Sequence, residues 1–269
     1  MTSKAPGPTF DILAENQHVN YGRGKTLPRG VWRWYHALLM LIGTFVALFG
    51  SLFAVLYFAA EDAPTDTLRV VQGFAAFAVM TLVVGCLAIA ARVDLRDIGW
   101  RASHPMWVTQ ALAMVVPLLV LRMMILYTVV PFIVPLLPDT PVQDEPVVEQ
   151  VQEMAMSPTQ EMVVALATIV LIAVGAGVVE EVLFRGVLHH WLRNHMGFWG
   201  AALISGLIFG AVHMNIPQFV TATVLGIVAS WLYEQSGSLL PPMVLHTANN
   251  FIAQGLSYVG IALGGHILF

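Results

Sequence analysis

The sequence predicts an all-α protein: a polytopic bundle of seven transmembrane helices around a membrane-embedded polar site. Three observations carry this. Of 269 residues, 58% are hydrophobic and only 10% are charged, against about 25% charged in an ordinary soluble domain. The mean hydropathy is +0.77. The apolar residues gather in runs near the roughly 20 residues needed to span a bilayer, and ionisable groups sit inside or beside several of them.

Residues 1–33 are polar and rich in Gly and Pro, and read as a cytoplasmic tail. The first apolar run, 34–60, is too long for a signal-peptide core of about 7–15 residues and is expected to stay as an anchor. The second span is 69–91. The third, 106–137, is interrupted by Pro117, Pro131 and Pro135 and carries Arg122, an arginine with no evident partner. The fourth is 159–183 and ends in Glu180 and Glu181. The fifth, sixth and seventh are 198–213, 217–233 and 239–268. The last is long and Gly-rich, so eight spans is the alternative to seven.

Three regions follow: the tail 1–33, amino-terminal helices within 34–158, and a motif-bearing bundle 159–269. Residues 92–101 mix charged and apolar side chains and suit an interfacial segment with Trp100 at the headgroups. Residues 138–158 form a Pro-rich acidic linker.

Charge placement sets the orientation. Lys4, Arg23, Lys25, Arg29 and Arg33 precede the first span; Arg92, Arg96 and Arg101 follow the second; Arg185 and Arg193 follow the fourth. With alternating helices these share one side, so the amino terminus is expected in the cytoplasm. A bacterial inner membrane fits best. The 12 Lys and Arg residues are too few for a nucleic-acid partner. Cys86, the single cysteine, lies in an apolar run and reads as a packing residue.

Chemistry concentrates in three groups. In the first, Glu181 and Arg185 are i and i+4, the favoured order for a helical ion pair. Glu180 lies about 100° round the helix without that partner, which leaves it for acid–base work. The alternative is a pair of interfacial charges. In the second, Phe209 precedes His213 by one turn. A histidine there either bonds a backbone carbonyl or shares proton transfer with Glu180. In the third, His246 and Asn250 lie on one helix face. They can donate to a developing oxyanion or simply bond between helices. Glu180, His213 and His246 could also ligate zinc, but the His-Glu-x-x-His spacing of zincins is absent.

Small residues repeat at Ala202, Gly206 and Gly210, and Gly175 and Gly177 precede the glutamates. Their close packing is expected to bring the glutamates near His213. His189, His190 and His195 fall in a loop-like stretch and read as interfacial.

Taken together, Glu180-Glu181…Arg185, Phe209…His213 and His246…Asn250 resemble the motifs of the CAAX protease and bacteriocin-processing enzyme family (CPBP, also Abi), glutamate-type intramembrane endopeptidases. The resemblance covers about residues 160–255, including the approach Ser236-Gly237-Ser238-Leu239 and Pro241-Pro242. It implies a metal-free hydrolase with no cofactor. Glu180 would activate water with His213, and His246 and Asn250 would hold the oxyanion. Glu181 and Arg185 would support Glu180, and Phe209 would pack beside the site. Partners would be membrane lipids and a membrane-associated protein or peptide, lipidated in CAAX-type members. The competing readings are a non-catalytic membrane scaffold or bacteriocin self-immunity protein and, more remotely, a transporter.

Overall fold

The structure, a computed structural model, describes residues 27–28, 30–58, 78–79, 81–83, 85–86, 92–133, 170–213 and 216–262. Every regular element among them is helical. The linker 138–158 and most of the expected second span lie outside the described residues.

Helix α1 is Trp34–Phe58. Helix α2 starts as Pro105–Met124, passes through a π-helical turn at Ile125–Val129 and ends with Val130–Ile133. Its start is well specified. Pro105 lacks the N–H that a first helical position cannot use, and the His104 ring accepts from the Met106 N–H at 3.2 Å. Pro117 lies inside the helix without ending it. Helix α3 is π-helical over Leu171–Glu180 and Val182–His189 and closes with His190–Leu192. Then come α4 (Phe198–Ala211), α5 (Ile216–Ser236) and α6 (Leu240–Ala262). Gly237 ends α5 with φ +60°, the left-handed conformation that glycine adopts at no steric cost.

Where lipid would lie, side chains are apolar and exposed. On α1 these include Leu38, Leu39, Ile42, Phe45 and Phe49, and on α2 Leu112, Val116, Val120 and Met124. A soluble monomer rarely leaves so continuous an apolar face in water. The opposite stripe of α2, Trp107, Ala111, Val115 and Leu119, is buried. By length and composition, Pro105–Val129 and Ile216–Ser236 can cross a membrane, and Trp34–Ala47 and Phe198–Ala211 are shorter apolar helices.

Helix α3 is the central element: every residue from Glu181 to His190 is buried. This corrects two expectations. The helix does not stop at 183 but continues to Leu192, so the glutamates lie within it. His189 and His190 are buried helix residues, not interfacial loop residues. His189 meets Glu234 at 3.1 Å, which also pairs with Arg193. A neutralised cluster of this kind can be buried where isolated charges cannot. Cys86, expected to pack, is exposed.

The small-residue stripe on α4 faces α5, not α3. A Cβ on Gly206 would lie 3.0 Å from the Thr223 carbonyl, and one on Gly210 would overlap the Thr223 hydroxyl. Gly177 on α3 faces α6, where a Cβ would lie 3.0 Å from the Thr247 Cα. Just before α6, the Ser238 hydroxyl donates to the Arg101 carbonyl at 2.6 Å and accepts from the Leu240 N–H at 3.1 Å. These bonds tie the start of α6 to the segment leading into α2.

Candidate active site

Two of the three motifs meet directly. Glu181 Oε1 accepts from Arg185 Nη1 at 2.8 Å, and both side chains are fully buried. The same oxygen lies 2.7 Å from His246 Nδ1. An ionised carboxylate only accepts, so His246 donates through Nδ1 and its Nε2 is the outward nitrogen. That Nε2 lies 4.0 Å from Glu180 Oε2. Glu180 Oε2 is buried and has no hydrogen-bond partner among the described residues. The whole Glu180 side chain is 15% exposed, against 0% for Glu181. The two glutamates therefore differ: Glu181 is fully buried and hydrogen-bonded, while Glu180 is slightly exposed and its buried Oε2 has no hydrogen-bond partner among the described residues.

The sequence reading missed one link. It assigned Glu181 to Arg185 alone, whereas Glu181 also orients His246. The two are 65 positions apart, and the i+4 arginine already accounted for the carboxylate.

Phe209 joins the remaining parts. Its ring packs edge-on to His213 with centroids 5.1 Å apart and to His246 at 5.6 Å. The Arg185 guanidinium carbon lies 4.7 Å from its centroid, within cation–π range. Gly226 on α5 makes room for this stack, since a Cβ there would stand 3.2 Å from Arg185 Nη2.

His213 Nδ1 lies 2.8 Å from the Phe209 carbonyl. A carbonyl accepts, so Nδ1 carries the hydrogen and Nε2 is the basic nitrogen of the neutral ring. No hydrogen bond or ion pair links His213 to Glu180; Phe209 brings His213 toward His246 instead. The Asn250 side-chain oxygen accepts from Asn249 at 3.3 Å, one turn along α6 from His246. The buried Nε of Arg122 has no hydrogen-bond partner among the described residues. Among the described residues no three His, Cys, Asp or Glu side chains are grouped as a metal site.

An apolar groove of about 480 Å³ runs along α6, and none of Glu180, His213, His246 or Asn250 lines it. Val178, two residues before Glu180, lines one side, and Met243, Val244, Thr247 and Phe251 line the other.

Residues 162–252 match the family model described as Rce1-like, type II CAAX prenyl endopeptidase. The match encloses all three motifs, from Glu180 to Asn250, and supports the resemblance drawn from them. A protein of Bacillus subtilis (strain 168) named "Putative membrane peptidase YdiL" is 32% identical over 82 residues, covering 30% of this chain and 34% of that protein. The chain thus spans about a third of the length of the curated relative it matches. No solved structure matches the chain.

Proposed function

We propose that this chain, whose motif-bearing segment matches the Rce1-like CAAX prenyl endopeptidases, is a membrane-embedded endopeptidase that hydrolyses a peptide bond of a membrane-associated protein or peptide. The observation that carries the reading is the placement of His246, donating to Glu181 at 2.7 Å with its other nitrogen turned to Glu180 at 4.0 Å. A carboxylate oxygen without a hydrogen-bond partner and an oriented imidazole face each other inside an apolar bundle.

In this reading Glu180 is the general base. It takes a proton from water as the water oxygen bonds the scissile carbonyl carbon. Negative charge develops on the former carbonyl oxygen. His246 Nε2–H and the Asn250 amide donate to that oxyanion. Because Nδ1–H is committed to Glu181, His246 can donate through Nε2 only as imidazolium. The carboxylate of Glu181 balances that charge while Arg185 holds the same oxygen. Collapse of the intermediate breaks the C–N bond, and the proton held by Glu180 passes to the leaving amine. His213, with Nδ1–H fixed on the Phe209 carbonyl, offers Nε2 to the attacking water. The apolar groove beside Val178 would seat the hydrophobic part of the substrate.

The test is cleavage of a membrane-inserted peptide library by the purified chain in lipid vesicles, read by mass spectrometry. Wild type should yield new termini, while Glu180→Ala, folded and inserted, should yield none. Equal cleavage by Glu180→Ala would remove Glu180 from the chemistry.

A further inference from the structure

On either side of Arg185, a backbone carbonyl of α3 accepts a hydrogen bond from a side chain of a neighbouring element. The Phe184 carbonyl takes the Ser205 hydroxyl of α4 at 3.2 Å. The Gly186 carbonyl takes the Trp32 indole N–H at 2.6 Å. Ser205 is 1% and Trp32 2% exposed, so neither donor has water as an alternative. This is the π-helical stretch Val182–His189. A π turn shifts the ladder by one residue, is rare, and frequently occurs at functional sites. Donors from neighbouring elements hold the displaced carbonyls in place.

Trp32 does not act alone. Residues 27–28 and 30–33 lie across the second half of α3 as a strap. His190 Nε2 lies 2.7 Å from the Pro28 carbonyl, and the Gly30 N–H donates to Asn194 Oδ1 at 3.0 Å. Gly30 turns the strap with φ +81°. Trp32 then packs edge-on to His36 at the start of α1. The strap thus joins the amino-terminal segment to the helix that carries both glutamates.

We propose that Trp32, with Ser205 as its counterpart from α4, is a positioning residue for the active site, a role that rests on the peptidase reading above. The path is short and continuous. The two donors fix the backbone on either side of Arg185. Arg185 Nη1 fixes Glu181 Oε1, that oxygen fixes His246 Nδ1, and His246 Nε2 faces Glu180. Trp32 lies outside the segment 162–252 that matches the family model. The strap is therefore a contribution of the amino-terminal region to chemistry carried by the rest.

Trp32→Phe keeps an aromatic ring but deletes the indole N–H together with some buried volume; Ser205→Ala deletes only the hydroxyl. Each leaves one buried carbonyl of α3 without its outside donor. Loss of one such bond, transmitted to a site where small displacements count, predicts a kcat lowered about tenfold in each variant. KM should stay within about twofold, because neither residue lines the groove. A second readout does not depend on turnover. In the 15N-histidine-labelled full chain in lipid nanodiscs, the His246 resonances, assigned with His246→Gln, should shift in both variants while other histidine resonances distant from the strap stay in place. Unchanged His246 resonances and unchanged kcat in folded Trp32→Phe and Ser205→Ala would overturn the proposal. So would a uniform collapse of all histidine resonances in both, which would make the bonds purely structural. Wild-type turnover by Glu180→Ala would sink the peptidase reading, and the His246 resonances would still decide whether the strap orders the cluster.

Discussion

Gly177→Ala should separate the two helices that hold the site. A Cβ at this position would lie 3.0 Å from both the Cα and the Cβ of Thr247 and overlap the Thr247 hydroxyl. Non-bonded carbons settle at about 3.5–4.0 Å, so α3 and α6 must move apart by about 0.5–1 Å. Thr247 is the neighbour of His246, and Gly177 lies one turn before Glu180 and Glu181. The same displacement would stretch the 2.7 Å contact between His246 Nδ1 and Glu181 to or beyond the limit of a hydrogen bond. Overpacking of this size costs about 1–3 kcal/mol in stability. A misplacement near 1 Å at a catalytic centre costs about 100-fold in rate. Gly177→Ala is therefore expected to insert and fold with a lowered melting temperature and a kcat reduced about 10- to 100-fold. Adding Thr247→Ala, which removes the hydroxyl overlap, should recover part of the loss. The assay is peptide cleavage in lipid vesicles beside thermal denaturation in detergent. Wild-type kcat in Gly177→Ala would refute the idea that this crossing sets the site geometry.

The two glutamates should separate stability from activity. Glu181→Gln leaves the Arg185 guanidinium buried without its compensating charge, at about 3–5 kcal/mol, visible as a large fall in melting temperature. Glu180→Gln removes an acid with no hydrogen-bonded partner; it should change stability by about 1 kcal/mol or less yet abolish cleavage. The reverse pattern would exchange their roles. Phe209→Leu deletes the ring that meets Arg185, His213 and His246. A lost cation–π contact of about 0.5–2 kcal/mol predicts a kcat lowered about 2- to 30-fold, and unchanged kinetics would make the ring filler. Val116→Asp places a charge on the exposed apolar face of α2. It should impair insertion by about 2.5–3.5 kcal/mol if that face meets lipid, whereas normal insertion in a translocation assay would argue against lipid there.

The helices among the described residues were legible because runs of about 20 apolar residues have few other uses. Their ends were less so. Glu180, Glu181 and Arg185 read as a polar break after residue 183, but Glu181 and Arg185 neutralise each other at 2.8 Å, so α3 continues fully buried. The stripe Ala202, Gly206, Gly210 announced a close helix crossing, but the glutamate helix was expected as its partner. Gly226 and Thr223 on α5 were the complementary signal, and they, not α3, receive it. Of the site, the Glu181–Arg185 pair was visible at helical spacing. Its bond to His246 was not, because it spans 65 positions and no periodicity connects its ends. Trp32 was hidden for the same reason, in a tail whose composition reads as solvent-facing.

The most direct measurement is a comparison of amino- and carboxyl-terminal peptides from membranes of cells carrying wild type or Glu180→Ala at matched levels. Hydrolysis through Glu180 predicts a set of new termini on membrane-associated proteins with wild type and their absence with Glu180→Ala. Identical terminal profiles, in cells where the wild-type protein supports a measurable phenotype and Glu180→Ala supports it equally, would contradict peptidase activity at this site.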